Sequence, residues 1–154
     1  MVTTTKAQDS TNEYKYWMTL GVGVYKQTMS ANLNYSFSLG DNFYKVGYLH
    51  RGGILGGSGE DGLLNTSVDI SIGKRIQSEW FQAAFFGGPS YIFGRKSIGH
   101  GDTENFKTVG LEADVQLLFR AANEVGIGVG LFGNINFVKS YSGISFNITI
   151  GNGK

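Results

Sequence analysis

From Tyr14 to Ile150 the sequence alternates between large apolar residues and small or polar ones with a period of two. The run from Met29 to Gly40 shows this most clearly, since Met, Ala, Leu, Tyr, Phe and Leu alternate with Ser, Asn, Asn, Ser, Ser and Gly. A period of two places successive side chains on opposite faces of a β-strand. The pattern predicts no helix and eight strands, at residues 14–25, 29–40, 44–49, 66–73, 80–94, 108–120, 125–137 and 143–150.

The connections between these segments fall into two groups. Those after the second, fourth and sixth segments are tight, at 40–42, 76–79 and 121–124, whereas those after the third and fifth are long, at 51–65 and 94–106. Tight and long connections therefore lie at opposite ends of an antiparallel meander. Eight strands are enough to close such a meander into a barrel, which removes its exposed edges. The predicted fold class is all-β, an eight-stranded antiparallel up-and-down barrel, with a possible bulge or irregularity at Pro89.

The chain has 154 residues, which suffices for one domain. We predict a single β-barrel domain over residues 14–154 and a flexible polar tail over residues 1–13. The tail lacks the apolar stretch of a secretory signal, so an exported protein is expected to have had its signal removed. No run of 18 apolar residues is present either, which excludes a transmembrane helix.

The same alternation fits two opposite barrels, one soluble with an apolar interior and one transmembrane with an apolar exterior. Only 16% of the residues are charged, too few to solubilise the outside of a barrel. The polar face is rich in Gly, Ser, Asn and Thr, whose small side chains fit a narrow lumen. We therefore predict a transmembrane β-barrel and keep the soluble ligand-binding barrel as an alternative. Aromatic residues near the strand ends suit two interfacial girdles: Tyr14, Tyr16, Tyr44, Phe81 and Phe119 at one end, and Tyr48, Tyr91, Phe93 and Phe137 at the other.

Net charge and cysteine content exclude several classes of function. The formal net charge is +1, which provides no field to attract nucleic acid, so no nucleic-acid partner is predicted. The chain has no cysteine, which removes disulfides, thiol nucleophiles and Cys-based metal sites.

Charged residues on the polar face are the candidate functional residues. Buried charges need partners, so these side chains should form a polar network that plugs the lumen. We predict that Lys45 pairs with Asp69, and that Glu112 or Asp114 engages an arginine or ordered water. The alternative is a narrow, mildly cation-preferring channel for small solutes. The predicted network contains Lys45, Asp69, Arg75, Glu112, Asp114 and Arg120.

The segments Trp17-Met-Thr-Leu-Gly-Val-Gly-Val-Tyr25 and Glu124-Val-Gly-Ile-Gly-Val-Gly-Leu-Phe-Gly133 look like strands of a known family. From Tyr14 to Ile150 the chain resembles the small eight-stranded outer-membrane barrels of Gram-negative bacteria, the group of the OmpA transmembrane domain, OmpX and OmpW. The resemblance implies a porin-like barrel in the bacterial outer membrane, surrounded by its lipids. It also implies periplasmic termini and tight turns, with the long connections outside the cell. Members usually end in an aromatic residue, whereas this chain ends Ile150-Gly-Asn-Gly-Lys154.

Three motifs suggest chemistry, and each has a simpler explanation. Gly128, Gly130 and Gly133 match G-x-G-x-x-G, but more strand follows where a dinucleotide site needs a helix. The triplet of His100, Asp102 and Glu104 has only one His and lies in a predicted loop. A lipid-acting hydrolase would combine a His, a Ser and an acid near one rim. Its candidates are His50 or His100, Ser58 or Ser97, and Glu60 or Asp102.

No catalytic, cofactor-binding or metal-binding residue is predicted, and no cofactor. The sequence favours a non-enzymatic barrel with a structural, adhesive or complex-forming role. A protein partner would bind through the long connections at 51–65 and 94–106. The small-solute channel, the lipid-acting hydrolase and the soluble ligand-binding barrel are the alternatives.

Overall fold

The computed structural model describes residues 15–25, 28–52, 63–99, 102–122 and 124–151, and the tail predicted at 1–13 lies outside these residues. No described helix is long and apolar enough to cross a membrane. The described residues form eight strands: β1 (Tyr16–Tyr25), β2 (Thr28–Leu39), β3 (Asn42–Arg51), β4 (Leu63–Gln77), β5 (Phe81–Gly99), β6 (Asp102–Arg120), β7 (Val125–Asn136) and β8 (Tyr141–Ile150).

The eight strands form one closed barrel in which each strand is antiparallel to both neighbours. The ring closes between the first and last strands, where β1 and β8 pair from Met18 opposite Ile150 to Val24 opposite Ile144. Closure pairs both edges of the sheet, as the eight-segment pattern requires. The predicted fold class is confirmed. We call the end that contains Lys15 and Gly151 the termini end, and the opposite end the loop end.

The apolar face of the strands points outward. Leu33 and Ile148 expose 42% and 54% of their surface, whereas their neighbours Asn34 and Asn147 expose 5% and 3%. A soluble ligand-binding barrel would show the reverse. Large apolar side chains are exposed on all eight strands, which is the arrangement that a lipid environment stabilises.

Aromatic contacts mark both ends of this apolar exterior. At the termini end Trp80 stacks on Phe119 with ring centroids 5.9 Å apart, and Phe37 stacks on Tyr44 at 5.8 Å. Towards the loop end Tyr91 and Phe93 are neighbours along β5. Such rings suit the two interfaces of a bilayer, where one edge is apolar and the other is hydrated.

The fifth and sixth strands are longer than the sequence predicted. The expected loop at 94–106 was wrong, because β5 continues to Gly99 and β6 begins at Asp102. The ladder continues with Lys96 opposite Glu104, where most residues are polar and the hydrophobic alternation that identifies strands disappears. The register shifts between Ser97 and Gly99.

At Pro89 the structure has the irregularity that was one of the two expectations, and not the bulge. The ladder between β4 and β5 is interrupted there, and the pairs on either side keep one register. Proline has no backbone N–H to donate, which explains an interrupted ladder without a bulge. The expected connection at 51–65 is shorter, since Arg51 ends β3 and Leu63 begins β4.

The closed lumen as candidate functional site

Four of the six charged residues predicted to line the lumen meet at its centre. Lys45 Nζ on β3 lies 3.1 Å from Asp114 Oδ2 and 3.3 Å from Asp69 Oδ2. Asp114 and Glu112 both lie on β6, and Glu112 Oε1 is 3.6 Å from the same nitrogen. Because β3 and β6 are not neighbours in the barrel, the contacts to β6 cross the lumen. We call these four residues the Lys45 cluster.

Hydrogen bonds from neutral side chains complete the Lys45 cluster. Ser71 Oγ donates to Asp69 Oδ2 at 2.7 Å, and Gln116 Nε2 donates to Asp114 Oδ2 at 2.7 Å. Gly47 lies opposite Asp69 in the ladder, and a Cβ at this position would collide with the Asp69 carboxylate. The small and polar residues of the inward face therefore provide both the room and the donors that these buried carboxylates need.

An aromatic layer lies on the termini side of this cluster. Trp17, Phe86 and Ala84 are buried together, and Phe43 packs against them. The Trp17 ring centroid is 5.5 Å from that of Phe43 and 6.2 Å from that of Phe86. Lys45 Nζ lies 5.8 Å from the Phe86 ring centroid, so the charged and aromatic layers are in contact.

A second apolar layer lies on the loop side, where Leu49, Phe132 and Tyr141 are buried together. Tyr141 donates its hydroxyl to Ser67 Oγ at 3.1 Å, and Arg51 Cζ lies 5.3 Å from the Tyr141 ring centroid. A passage through the described part of the lumen would therefore meet two ring layers and the Lys45 cluster between them.

The other two predicted residues, Arg75 and Arg120, do not join the Lys45 cluster. Arg75 Cζ lies 4.9 Å from the Trp17 ring centroid and 4.7 Å from that of Phe43. Arg120 ends β6 at the rim and is exposed. The carboxylates of Glu112 and Asp114 thus contact Lys45 in place of the expected arginine. At about 3.3 Å per residue, Arg75 lies roughly 20 Å along β4 from Asp69.

The alternation did not mark the residues of the two ring layers as functional. Trp17, Phe43, Phe86, Phe132 and Tyr141 lie on the inward face, where the pattern otherwise has small or polar residues. A large ring at a polar position of the alternation was the available signal. It indicates a side chain that fills the lumen.

Among the described residues, the hydrolase candidates do not form a catalytic arrangement. His50 Nδ1 forms a hydrogen bond with Thr66 Oγ1 at 3.0 Å, between two outward-facing strand positions. Ser97 and Asp102 lie near the tip of the β5–β6 hairpin. His100, Ser58 and Glu60 lie outside the described residues.

Neither a protein-family model nor a curated protein sequence matches the chain. Solved structures do resemble it. The N-terminal β-barrel domain of Pseudomonas aeruginosa OprF aligns with a TM-score of 0.70 and 8% identity, covering 89% of this chain and 96% of that one. Neisserial surface protein A aligns with a TM-score of 0.59 and 10% identity, covering 89% and 94%. The Yersinia pestis outer membrane protein Ail in a phospholipid nanodisc aligns with a TM-score of 0.58 and 15% identity, covering 90% of this chain and 99% of that one. These likenesses show a shared fold.

Proposed function

We propose that this protein is a non-enzymatic barrel of a bacterial outer membrane that anchors a binding surface above the lipid. The observation that carries the proposal is the pairing of an apolar exterior with a closed interior. The exterior places side chains such as Leu20, Leu33 and Ile148 where only lipid would bury them. Two structural neighbours support the location, since one is an outer membrane protein and another is a surface protein.

The closed interior argues against a channel. A conducting pore needs a continuous aqueous path, with sites weak enough for a solute to leave. Here Lys45 is 1% exposed and Trp17 is 1% exposed, and their layers contact each other through Phe86. Opening the lumen would separate Lys45 from carboxylates in a poorly hydrated interior, which is unfavourable.

The binding surface that we propose is the β5–β6 hairpin. Beyond Phe93 the outward residues of β5 change from aromatic to polar, and the ladder extends to Ser97 opposite Thr103. Lys96 and Glu104 form an ion pair across it, with Nζ to Oε2 at 3.2 Å. A paired hairpin presents fixed side chains to a partner, so ordering it on binding costs little conformational entropy.

We propose that a protein partner binds this hairpin together with the connection between β3 and β4. The described strand ends that flank both, among them Arg51 and Leu63, lie at the loop end of the barrel. Ail, one of the structural neighbours, is the attachment invasion locus protein of Yersinia pestis, which is consistent with an adhesive role for a barrel of this shape.

Planar-bilayer recording tests the closed lumen. Purified barrel, refolded and verified as folded by its heat-modifiable migration, should insert without producing stable conductance steps. Steps of uniform size that persist across preparations would contradict the closed lumen and favour the channel.

Site-specific photo-crosslinking in intact cells tests the partner. A photoreactive residue at Ser97 on the hairpin should give protein adducts at discrete masses. The same residue at Leu33, on the lipid-facing side of β2, is the matched control and should give lipid adducts only. Absence of protein adducts at Ser97, under conditions where Leu33 labels lipid, would contradict the partner-binding role.

A further inference from the structure

Several N–H donors without hydrogen-bond partners gather near the termini end of the lumen. Trp17 Nε1, Gln82 Nε2 and one terminal nitrogen of Arg75 are buried and have no hydrogen-bond partner. Trp17 is 1% exposed, so its indole N–H has no access to bulk solvent. Leaving a buried donor unpaired is unfavourable, so two such donors at one cavity, those of Trp17 and Gln82, favour a shared acceptor.

Positive charge gathers at the same place. Arg75 lies over the Trp17 ring, and Arg120 borders a cavity that Trp17 also lines. Within the described part of the chain, neither forms an ion pair. The rings of Trp17 and Phe43 cover Arg75 at 4.9 and 4.7 Å, and stacking of this kind leaves the N–H edges of a guanidinium free.

A small cavity opens beside Trp17, Gln82 and Arg120, and Arg75 lies outside its wall. Its volume is about 50 Å³, and its wall includes Trp17, Gln82, Arg120 and Thr149. Glu124 also borders the cavity, from the exposed turn between β6 and β7. At roughly 10–15 Å³ of this measure per water, the cavity has room for a group the size of three to five waters.

We propose that the termini-end mouth of the lumen binds a phosphate-class oxyanion. Its oxygens would accept hydrogen bonds from Trp17 Nε1, Gln82 Nε2 and the guanidinium of Arg120, while Arg75, which lies over the Trp17 ring, adds positive charge beside the site. Arginine suits this task because its planar N–H edge matches two oxygens of one anion. Within the wall the carboxylate of Glu124 balances Arg120, so the positive charge that favours an anion comes from Arg75 beside it. This site goes beyond the proposed partner-binding role and does not depend on it.

Indole N–H signals in an NMR titration test the site directly. The chain has two tryptophans, so Trp80, on the outer surface, is an internal control. The folded barrel in a phosphate-free maltoside detergent is titrated with inorganic phosphate, at ionic strength held constant with chloride. The Trp17 indole proton should shift downfield and saturate, while the Trp80 signal should stay in place.

Two matched variants identify the charge that matters. Arg120→Gln removes the exposed guanidinium at the cavity and should weaken phosphate binding about tenfold, since each charge-assisted hydrogen bond is worth that much or more. Lys74→Gln removes one positive charge from the outward neighbour of Arg75 and should leave the titration unchanged. An equal effect of both variants would overturn the proposal, because it would indicate general electrostatic attraction.

A nanodisc experiment distinguishes free phosphate from a lipid headgroup. If phospholipid supplies the phosphate group, the Trp17 signal should already lie at its shifted position in phosphatidylglycerol nanodiscs without inorganic phosphate. If free phosphate is the ligand, the shift should require added phosphate in both environments. A Trp17 signal that moves in neither experiment, or that moves equally with chloride alone, would overturn the site.

Discussion

The lumen holds positive charge in two places, and the two are stabilised differently. At its centre Lys45 lies within 3.6 Å of three carboxylates. At the termini end Arg75 has no carboxylate partner among the described residues, and aromatic rings cover it instead. The first arrangement needs opposite charge and the second needs large apolar surface. One narrow barrel can therefore accommodate a fully buried cation by ion pairs and a half-buried one by aromatic rings.

The largest loss of stability is expected when the Lys45 cluster is disrupted. Lys45→Ala should lower the free energy of unfolding by about 3–5 kcal/mol, because it leaves three buried carboxylates without their cation. Urea unfolding in lipid vesicles, followed by tryptophan fluorescence, measures the change. Lys74→Ala, on the exposed outer surface near Arg75, is the control and should stay within about 0.5 kcal/mol of the parent. Equal effects of the two variants would show that the Lys45 contacts contribute nothing specific.

Replacing Arg75, which aromatic rings cover, should cost less stability than replacing Lys45. Arg75→Gln should lower the free energy of unfolding by about 1–2 kcal/mol, since stacking of a desolvated cation on aromatic rings is worth roughly that amount. The same urea unfolding experiment measures it. If the variant were more stable than the parent, repulsion between Arg75 and Arg120 would outweigh the stacking, and the comparison would fail at this end of the lumen.

A neutral version of the Lys45 cluster separates the effect of unpaired charge from that of lost packing. Lys45→Met combined with Asp69→Asn, Glu112→Gln and Asp114→Asn should unfold within about 1 kcal/mol of the parent, because a buried ion pair and its neutral replacement are often nearly equivalent. Failure to recover most of the Lys45→Ala loss would mean that lost packing, not unpaired charge, explains that loss.

The smallest effect is expected for an ion pair of similar geometry outside the lumen. Lys96 and Glu104 on the hairpin are 44% and 57% exposed in their side chains. Glu104→Gln should change stability by less than about 0.5 kcal/mol, because water and salt screen exposed pairs. A change as large as that of Lys45→Ala would contradict the assumption that burial sets the importance of these contacts.

The sequence predicted most of the barrel because alternation carries the relevant information. A period of two assigns each residue to a face, and the assignment of Leu33 outward and Asn34 inward follows directly. It also predicted the contact between Lys45 and Asp69, which lie on neighbouring strands and on the same face. The pattern failed at the β5–β6 hairpin, since no lipid or core requires apolar residues there.

The composition of the candidate site was only partly predictable. Alternation gives the face of a residue, and Arg75 and Arg120 were grouped with the acids because they share that face, although both lie toward the strand ends. Alternation does not report contacts across the lumen, such as those of Lys45 with Glu112 and Asp114. These depend on strand tilt and stagger, which the closed sheet determines as a whole.

Nitroxide accessibility tests the central claim, that the apolar faces contact lipid. The chain has no native cysteine, so single spin labels can be attached at Leu33→Cys, Val68→Cys and Ile148→Cys, with Ser97→Cys on the hairpin as the aqueous reference. In lipid vesicles the three barrel positions should be relaxed strongly by oxygen and weakly by a water-soluble nickel chelate, with the opposite result at Ser97. High accessibility to the chelate at all four positions would contradict the claim.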